Sequence, residues 1–185
     1  MARLVLRVIP TKSKNRESSI ESAKEAATRL VAQRMRSRFE LKNRLRESGF
    51  ETEHVEAAME VLERFGYIDD ASFARAFIMD KMTLRGHGEM RIRRELREHG
   101  VSESDTGKGF VLCEARFAEE GDTREEREAE NALAALRKYA RGADMTAAGD
   151  VRRGIAFLVR RGFAYGVVRE AMKAYVKEIF DDDKD

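Results

Sequence analysis

The chain has 185 residues, with 36 Lys plus Arg against 34 Asp plus Glu, so its formal net charge is only +2 and any charged partner must be met by local patches. Hydrophobic residues make up 42%, enough to bury a core and to set the chain apart from disordered segments. One Pro, no Trp and an abundance of Ala, Leu, Glu and Arg predict an all-α protein, because these side chains lose little rotamer freedom on a helix.

Residues 1–16 lack helical periodicity and are expected to form a flexible arm. Their apolar run from Met1 to Ile9 is interrupted by Arg7 and followed by no small-residue cleavage site, so a signal peptide is not expected. Beyond the arm, apolar spacing predicts helices at 17–35, 38–48, 53–65, 71–84, 89–99, 103–119, 124–140, 151–161 and 165–179. Ser37 with Glu40 has capping-box spacing, Ser102 with Asp105 has a similar form, and Thr52, Asp70 and Asp150 are candidate N-caps. Residues 181–185 read as an acidic tail.

An internal repeat organises these helices. Leu45-Arg46-Glu47-Ser48-Gly49-Phe50, Leu96-Arg97-Glu98-His99-Gly100-Val101 and Leu158-Val159-Arg160-Arg161-Gly162-Phe163 all read Leu, three residues, Gly, apolar. That is a helix whose last turn carries a core leucine, a glycine stop in the left-handed conformation, and an apolar residue folding back. The following helices agree too: Val55, Ala58, Met59 and Leu62 match Val168, Ala171, Met172 and Tyr175, with Thr106, Gly109, Phe110 and Cys113 as the looser second copy. The chain therefore divides into three-helix repeats at 17–68, 69–121 and 122–180, an array expected to be elongated and curved. The loops at Gly121-Asp122-Thr123 and Arg141-Gly142-Ala143-Asp144 are its expected flexible points.

Chemistry-bearing residues are few. The single Cys113 excludes an internal disulfide, suits the cytosol, and falls at a core position. His54, His87 and His99 are scattered, so neither a metal site nor a cofactor is expected. Arg85-Gly86-His87-Gly88 lacks the lysine and serine of a phosphate loop and reads as a turn between helices. Phe39, Phe50, Tyr67, Phe73 and Phe77 fall at core-like positions and offer no stacking platform for bases.

Basic residues are the better candidates for binding. Arg29 to Arg46 holds seven of them, including Arg34, Arg36 and Arg44, against the single acid Glu40. Arg38, Lys42 and Arg46 recur every four residues and so share one helix face. Aligned on the stop glycine, Lys42 matches Arg93 and Arg46 matches Arg97, with Arg91 and Arg94 beside them. The third repeat shifts its charge to Arg152, Arg153, Arg160 and Arg161. Such arrays hold phosphates or carboxylates by paired hydrogen bonds; read blandly, they are solvated faces paired with Glu residues such as Glu47 and Glu95.

The run Gly66-Tyr67-Ile68-Asp69-Asp70, followed by Phe73-Ala74, resembles the signature of the RecX family. Gly86 and Gly88 before Ile92, Leu96 and Gly100, and the Glu40-Leu41, Leu45, Gly49-Phe50 pattern extend the resemblance over roughly residues 20 to 178. The bottom-up reading of the signature is structural: Gly66 a C-cap, Asp69 or Asp70 an N-cap, and Tyr67, Ile68 and Phe73 an apolar staple between repeats. The resemblance implies a non-enzymatic regulator of recombination and DNA repair, mainly an inhibitor, lodged in the groove of the RecA–DNA filament. Contact with single- and double-stranded DNA is associated with such proteins, and a monomer is expected. A nucleic-acid-binding helical module acting without RecA is the alternative.

Overall fold

The computed structural model describes residues 18–143, 145 and 147–182. The expected arm, residues 1–16, residues 183–185 of the expected tail, and Asp144 of the second expected flexible loop lie outside them. Among the described residues the chain is all-helical: α1 Ile20–Gln33, α2 Arg38–Glu47, α3 Thr52–Arg64, α4 Asp70–Met79, α5 Glu89–Glu98, α6 Glu103–Glu119, α7 Arg124–Ala140, α8 Ala148–Arg160 and α9 Tyr165–Asp182. They bury three separate apolar clusters, one per repeat. In each, the first helix packs most extensively on the third, α1 on α3, α4 on α6 and α7 on α9.

The repeated Leu-Gly-apolar stop builds one local structure three times. Gly49, Gly100 and Gly162 have φ of 87°, 73° and 90°, a region costly to any residue with a Cβ. The reversal lets Phe50 N donate to Leu45 O at 3.3 Å, Val101 N to Leu96 O at 3.0 Å and Phe163 N to Leu158 O at 3.3 Å. Leu45, Leu96 and Leu158 are fully buried, and truncating such a side chain to Ala costs about 2–5 kcal/mol.

The boundaries carry corrections. Thr52 is the first residue of α3, behind the uncapped Glu51, and Asp150 sits in the first turn of α8, which begins at Ala148. Asp69, rather than Asp70, caps α4, accepting from Ala71 N and Ser72 N. Ser37 accepts from Glu40 N, but Glu40 turns away to Arg34 and Arg36, so the box is half formed. α9 runs on to Asp182, into the acidic run read as a tail. α4 continues as a π-helical turn over Asp80–Leu84; Asn131 of α7 donates to the Met82 carbonyl there at 2.8 Å. The Gly121 stop is also tied down, with Asp122 N donating to Phe117 O at 3.0 Å and Thr123 forming a capping box with Glu126.

Within the signature, Gly66 N donates to Glu63 O at 2.9 Å and Tyr67 N to Leu62 O at 2.8 Å, the bonds of a helix stop. Ile68 joins the first core and Phe73 with Ala74 the second. Tyr67 departs from expectation: its side chain is 62% exposed and staples nothing. Phe39 is likewise half exposed, where it lies against Gly100 and lines an open cleft. Cys113 is fully buried in the second core, where burial pushes its thiol up to about 11 and keeps it unreactive.

Candidate partner-binding clefts at the repeat junctions

Adjacent repeats meet by one device used twice: the stop of a middle helix docks on the start of the preceding middle helix. At the first junction the N-terminus of α2 meets the end of α5. Ser37 Oγ donates to His99 O at 2.6 Å, and Arg38 N donates to Asp70 Oδ1 at 2.7 Å. At the second the N-terminus of α5 meets the end of α8: Gly88 N donates to Arg161 O and Met90 N to Gly162 O, both at 3.0 Å. Here Glu89 N finds Glu128 Oε1 at 2.8 Å. Each junction therefore sets a carbonyl end against an amide end, and a carboxylate from the next repeat takes an orphan N–H at the helix start. Burial raises the pKa of both Asp70 and Glu128, in spite of those hydrogen bonds.

A cleft opens beside each junction. The first, about 550 Å³, is lined by Arg34, Arg36 and Arg44 together with Glu40, Glu47 and Glu98. Its charges largely satisfy one another: Arg34 and Arg36 both pair with Glu40, and Arg44 with Glu47 at 3.2 Å. Against the pull of burial, those guanidinium groups hold the Glu40 carboxyl below its ordinary range. The second cleft, about 440 Å³, is lined by Arg91, Arg93, Arg94, Arg97 and Arg160 with Met90, Val159 and Gly162, and no carboxylate. Arg91 is held by Glu95 at 2.7 Å, and Arg93 by Glu89 at 2.7 Å and Glu103 at 2.6 Å. Arg93 also lies 4.5 Å from the centre of the Phe110 ring. Arg94 has only a 3.8 Å approach to Glu98, and Arg97 and Arg160 form no ion pair with any described residue.

The structure thus sorts the basic residues singled out in the sequence. Arg38 pairs with Glu63, and Lys42 and Arg46 share Glu56 at 2.5 and 3.4 Å, so that row is stitched to α3. The hydrogen bond and charge of Lys42 hold Glu56 below its ordinary pKa. Arg36 is mostly covered and ties α2 back to the Leu30 carbonyl. Arg161 is a junction residue, donating to Arg85 O at 2.9 Å and Gly86 O at 3.3 Å, which makes Arg85-Gly86-His87-Gly88 a turn clamped from the next repeat. Arg152 reaches the Ala148 carbonyl and Arg153 pairs with Asp150, both away from the clefts. Glu128 and Asn131 were not legible as junction residues, since both lie in what reads as a surface charge run. Among the described residues no group of His, Cys, Asp and Glu could hold a metal ion, and no helix is long and apolar enough to cross a membrane.

Fold and clefts define a tandem array of three-helix modules joined end to end. Residues 23–62 match the family model described as RecX, first three-helix domain, and residues 69–106 the one described as RecX, second three-helix domain. A regulatory protein RecX of Amycolatopsis mediterranei is 30% identical over 166 residues, 88% of this chain and 90% of the relative. One of Thermus thermophilus is 36% identical over 152 residues, 82% and 91% of the two chains. The fold is similar to the crystal structure of RecX from Lactobacillus salivarius, with a TM-score of 0.71 at 16% identity, covering 84% of this chain and 96% of that one. The chain belongs to the RecX family of regulatory proteins.

Proposed function

We propose that this protein regulates RecA, mainly as an inhibitor, by binding as a cytosolic monomer in the groove of the RecA–DNA filament without catalysis of its own. The observation that carries the reading is family membership across nearly the whole length of relatives named regulatory protein RecX. Clefts at equivalent places one repeat apart suit a partner extended enough to be touched at more than one point. Binding to nucleic acid without RecA, which the basic patch from Arg29 to Arg46 suggests, is less favoured, because Arg38, Lys42 and Arg46 are paired with α3 and Arg29, Arg34, Arg36 and Arg44 with nearby glutamates. The test is ATP hydrolysis by a preformed RecA filament on single-stranded DNA, followed as the protein is titrated in. Inhibition well below one copy per RecA protomer is the expected result; unchanged hydrolysis and strand exchange at every ratio would sink the proposal.

A further inference from the structure

We propose that the cleft at the second junction is the docking site for an acidic protein segment carrying an apolar side chain, the anionic contact by which the chain engages its recombinase. The proposal rests on the reading above for the owner of that segment, and on the cleft itself for its chemistry.

Comparison of equivalent positions isolates what is special here. On the repeat alignment, Glu40, Asn43 and Glu98 of the first cleft correspond to Arg91, Arg94 and Arg160 of the second. The backbone device is the same, yet at three positions an acid or amide has become arginine. Five guanidinium groups then share one concavity, and like charges in a concavity raise the local potential and draw in anions. Two of the five are anchored: Arg91 through Glu95, and Arg93 through Glu89, Glu103 and the Phe110 ring. Anchoring fixes part of the field before a partner arrives, so less ordering remains to be done on binding. Arg94, Arg97 and Arg160 are exposed, and the last two are unpaired with any described residue.

The remaining lining selects among anionic partners. Met90, 62% exposed, and Val159, 49% exposed, line the same cleft as the arginines. Arginine and methionine around an apolar patch are the composition of a protein interface core. A phosphodiester chain would use the arginines, but it would leave Met90 and Val159 against water, and no aromatic side chain lines the cleft to stack a base. Glutamate or aspartate flanking a leucine-sized side chain satisfies both halves of the lining.

The test uses the full chain and two sets of probes. A labelled peptide of alternating Glu and Leu, an oligo-Glu peptide and an oligo-dT of matched charge are titrated by fluorescence anisotropy. The wild type should bind the Glu and Leu peptide most tightly. The triple variant Arg94→Glu, Arg97→Glu, Arg160→Glu should lose roughly tenfold or more of that affinity, with helicity by circular dichroism unchanged because all three side chains are exposed. The double variant Met90→Ser, Val159→Ser should weaken the Glu and Leu peptide but leave oligo-Glu binding in place. Equal peptide binding by the folded triple variant, or tighter binding of oligo-dT than of peptide, would overturn the assignment. In parallel, both proteins are sedimented with RecA filaments. If the wild type fails to co-sediment, the RecA reading falls while the peptide titration still decides the cleft; if wild type and triple variant co-sediment equally, the cleft is not the contact.

Discussion

The two junctions share a backbone and differ in side chains, and the difference separates what holds the array together from what it presents. At both, the helix start meets the stop of the following repeat's middle helix and is capped by a carboxylate from that same repeat, Asp70 in one case and Glu128 in the other. Beside both, a cleft is left open. In the first, three glutamates answer three arginines, and in the second five arginines have no acid among the lining residues. Architecture thus repeats while surface chemistry diverges, which is what an array needs if its copies are to meet different parts of one partner.

The largest effects expected from breaking this comparison are backbone ones. A Cβ on Gly162 would lie 2.4 Å from the Arg91 nitrogen, and one on Gly88 would lie 2.4 Å from the Gly162 carbonyl carbon. Backbone cannot swing aside, and Gly162 also has φ of 90°. Gly162→Ala should therefore cost about 3 kcal/mol or more, combining left-handed strain with overpacking. Gly100→Ala would set its Cβ 2.3 Å from the Phe39 Cβ, an atom held by the α2 backbone that no side-chain rotation removes, so with φ of 73° its cost should approach that of Gly162→Ala. Gly49, at the unjoined end, has nothing within 4 Å and should show only the conformational penalty of about 1–2 kcal/mol. Denaturant unfolding should show two large losses, for Gly162→Ala and Gly100→Ala, and a small one for Gly49→Ala; a loss at Gly100 no larger than at Gly49 would mean that the first junction yields without cost.

Smaller, and opposite in sign to the usual acid effect, is the response of the junction carboxylates. Burial raises Asp70 and Glu128 above the ordinary carboxyl range, so the folded chain takes up their protons more readily than the unfolded chain. Their contribution is full below the unfolded pKa, near 4, and is lost as pH rises through the raised value. Asp70→Asn keeps an oxygen for Arg38 N and removes the charge, so its stability relative to wild type should improve as pH rises from about 4 to 7. Asp70→Ala leaves that amide without its acceptor and should cost about 1 kcal/mol at either pH. A wild-type minus Asp70→Asn difference that is flat with pH would show that the carboxylate is not desolvated at the junction. Glu40 and Glu95 run the other way: burial notwithstanding, their basic neighbours hold them low, so their support fades as pH falls. The difference measurement cancels that background.

Much of this fold was legible before any coordinates, and what escaped has a common cause. The stop leucines, the glycines and the apolar rows are local patterns, readable because a helix places residues three and four apart on one face. Ser37, Ser102 and the Gly66 to Asp69 turn were readable for the same reason. The junctions are not local. Glu128 reads as one more acid in a charged run, and only folding brings it to Glu89 N, 39 residues away. Gly88 reads as turn punctuation, whereas its lack of a side chain is required by the Gly162 backbone. The basic residues were found as a set, but spacing along one helix could not reveal that α3 supplies Glu56 and Glu63 opposite the first row. Nor could it reveal that the end of α8 brings Arg160 to the second.

The smallest expected effect bears on that last distinction. Glu56→Gln removes the shared partner of Lys42 and Arg46, and because the carboxylate is solvent-accessible a loss of stability of no more than about 1 kcal/mol should follow. It should nevertheless free two positive charges on α2, the helix that contributes most of the first cleft's lining. If paired charge is what separates the clefts, Glu56→Gln should raise affinity for an acidic peptide in the Arg94→Glu, Arg97→Glu, Arg160→Glu background, and the gain should vanish at high salt as exposed charges are screened. If Glu56→Gln changes nothing while the second cleft binds as proposed, net charge near a junction is not sufficient. The exposed Met90 and Val159, whose equivalents at the first junction are Phe39 and Arg97, would then be the feature that discriminates.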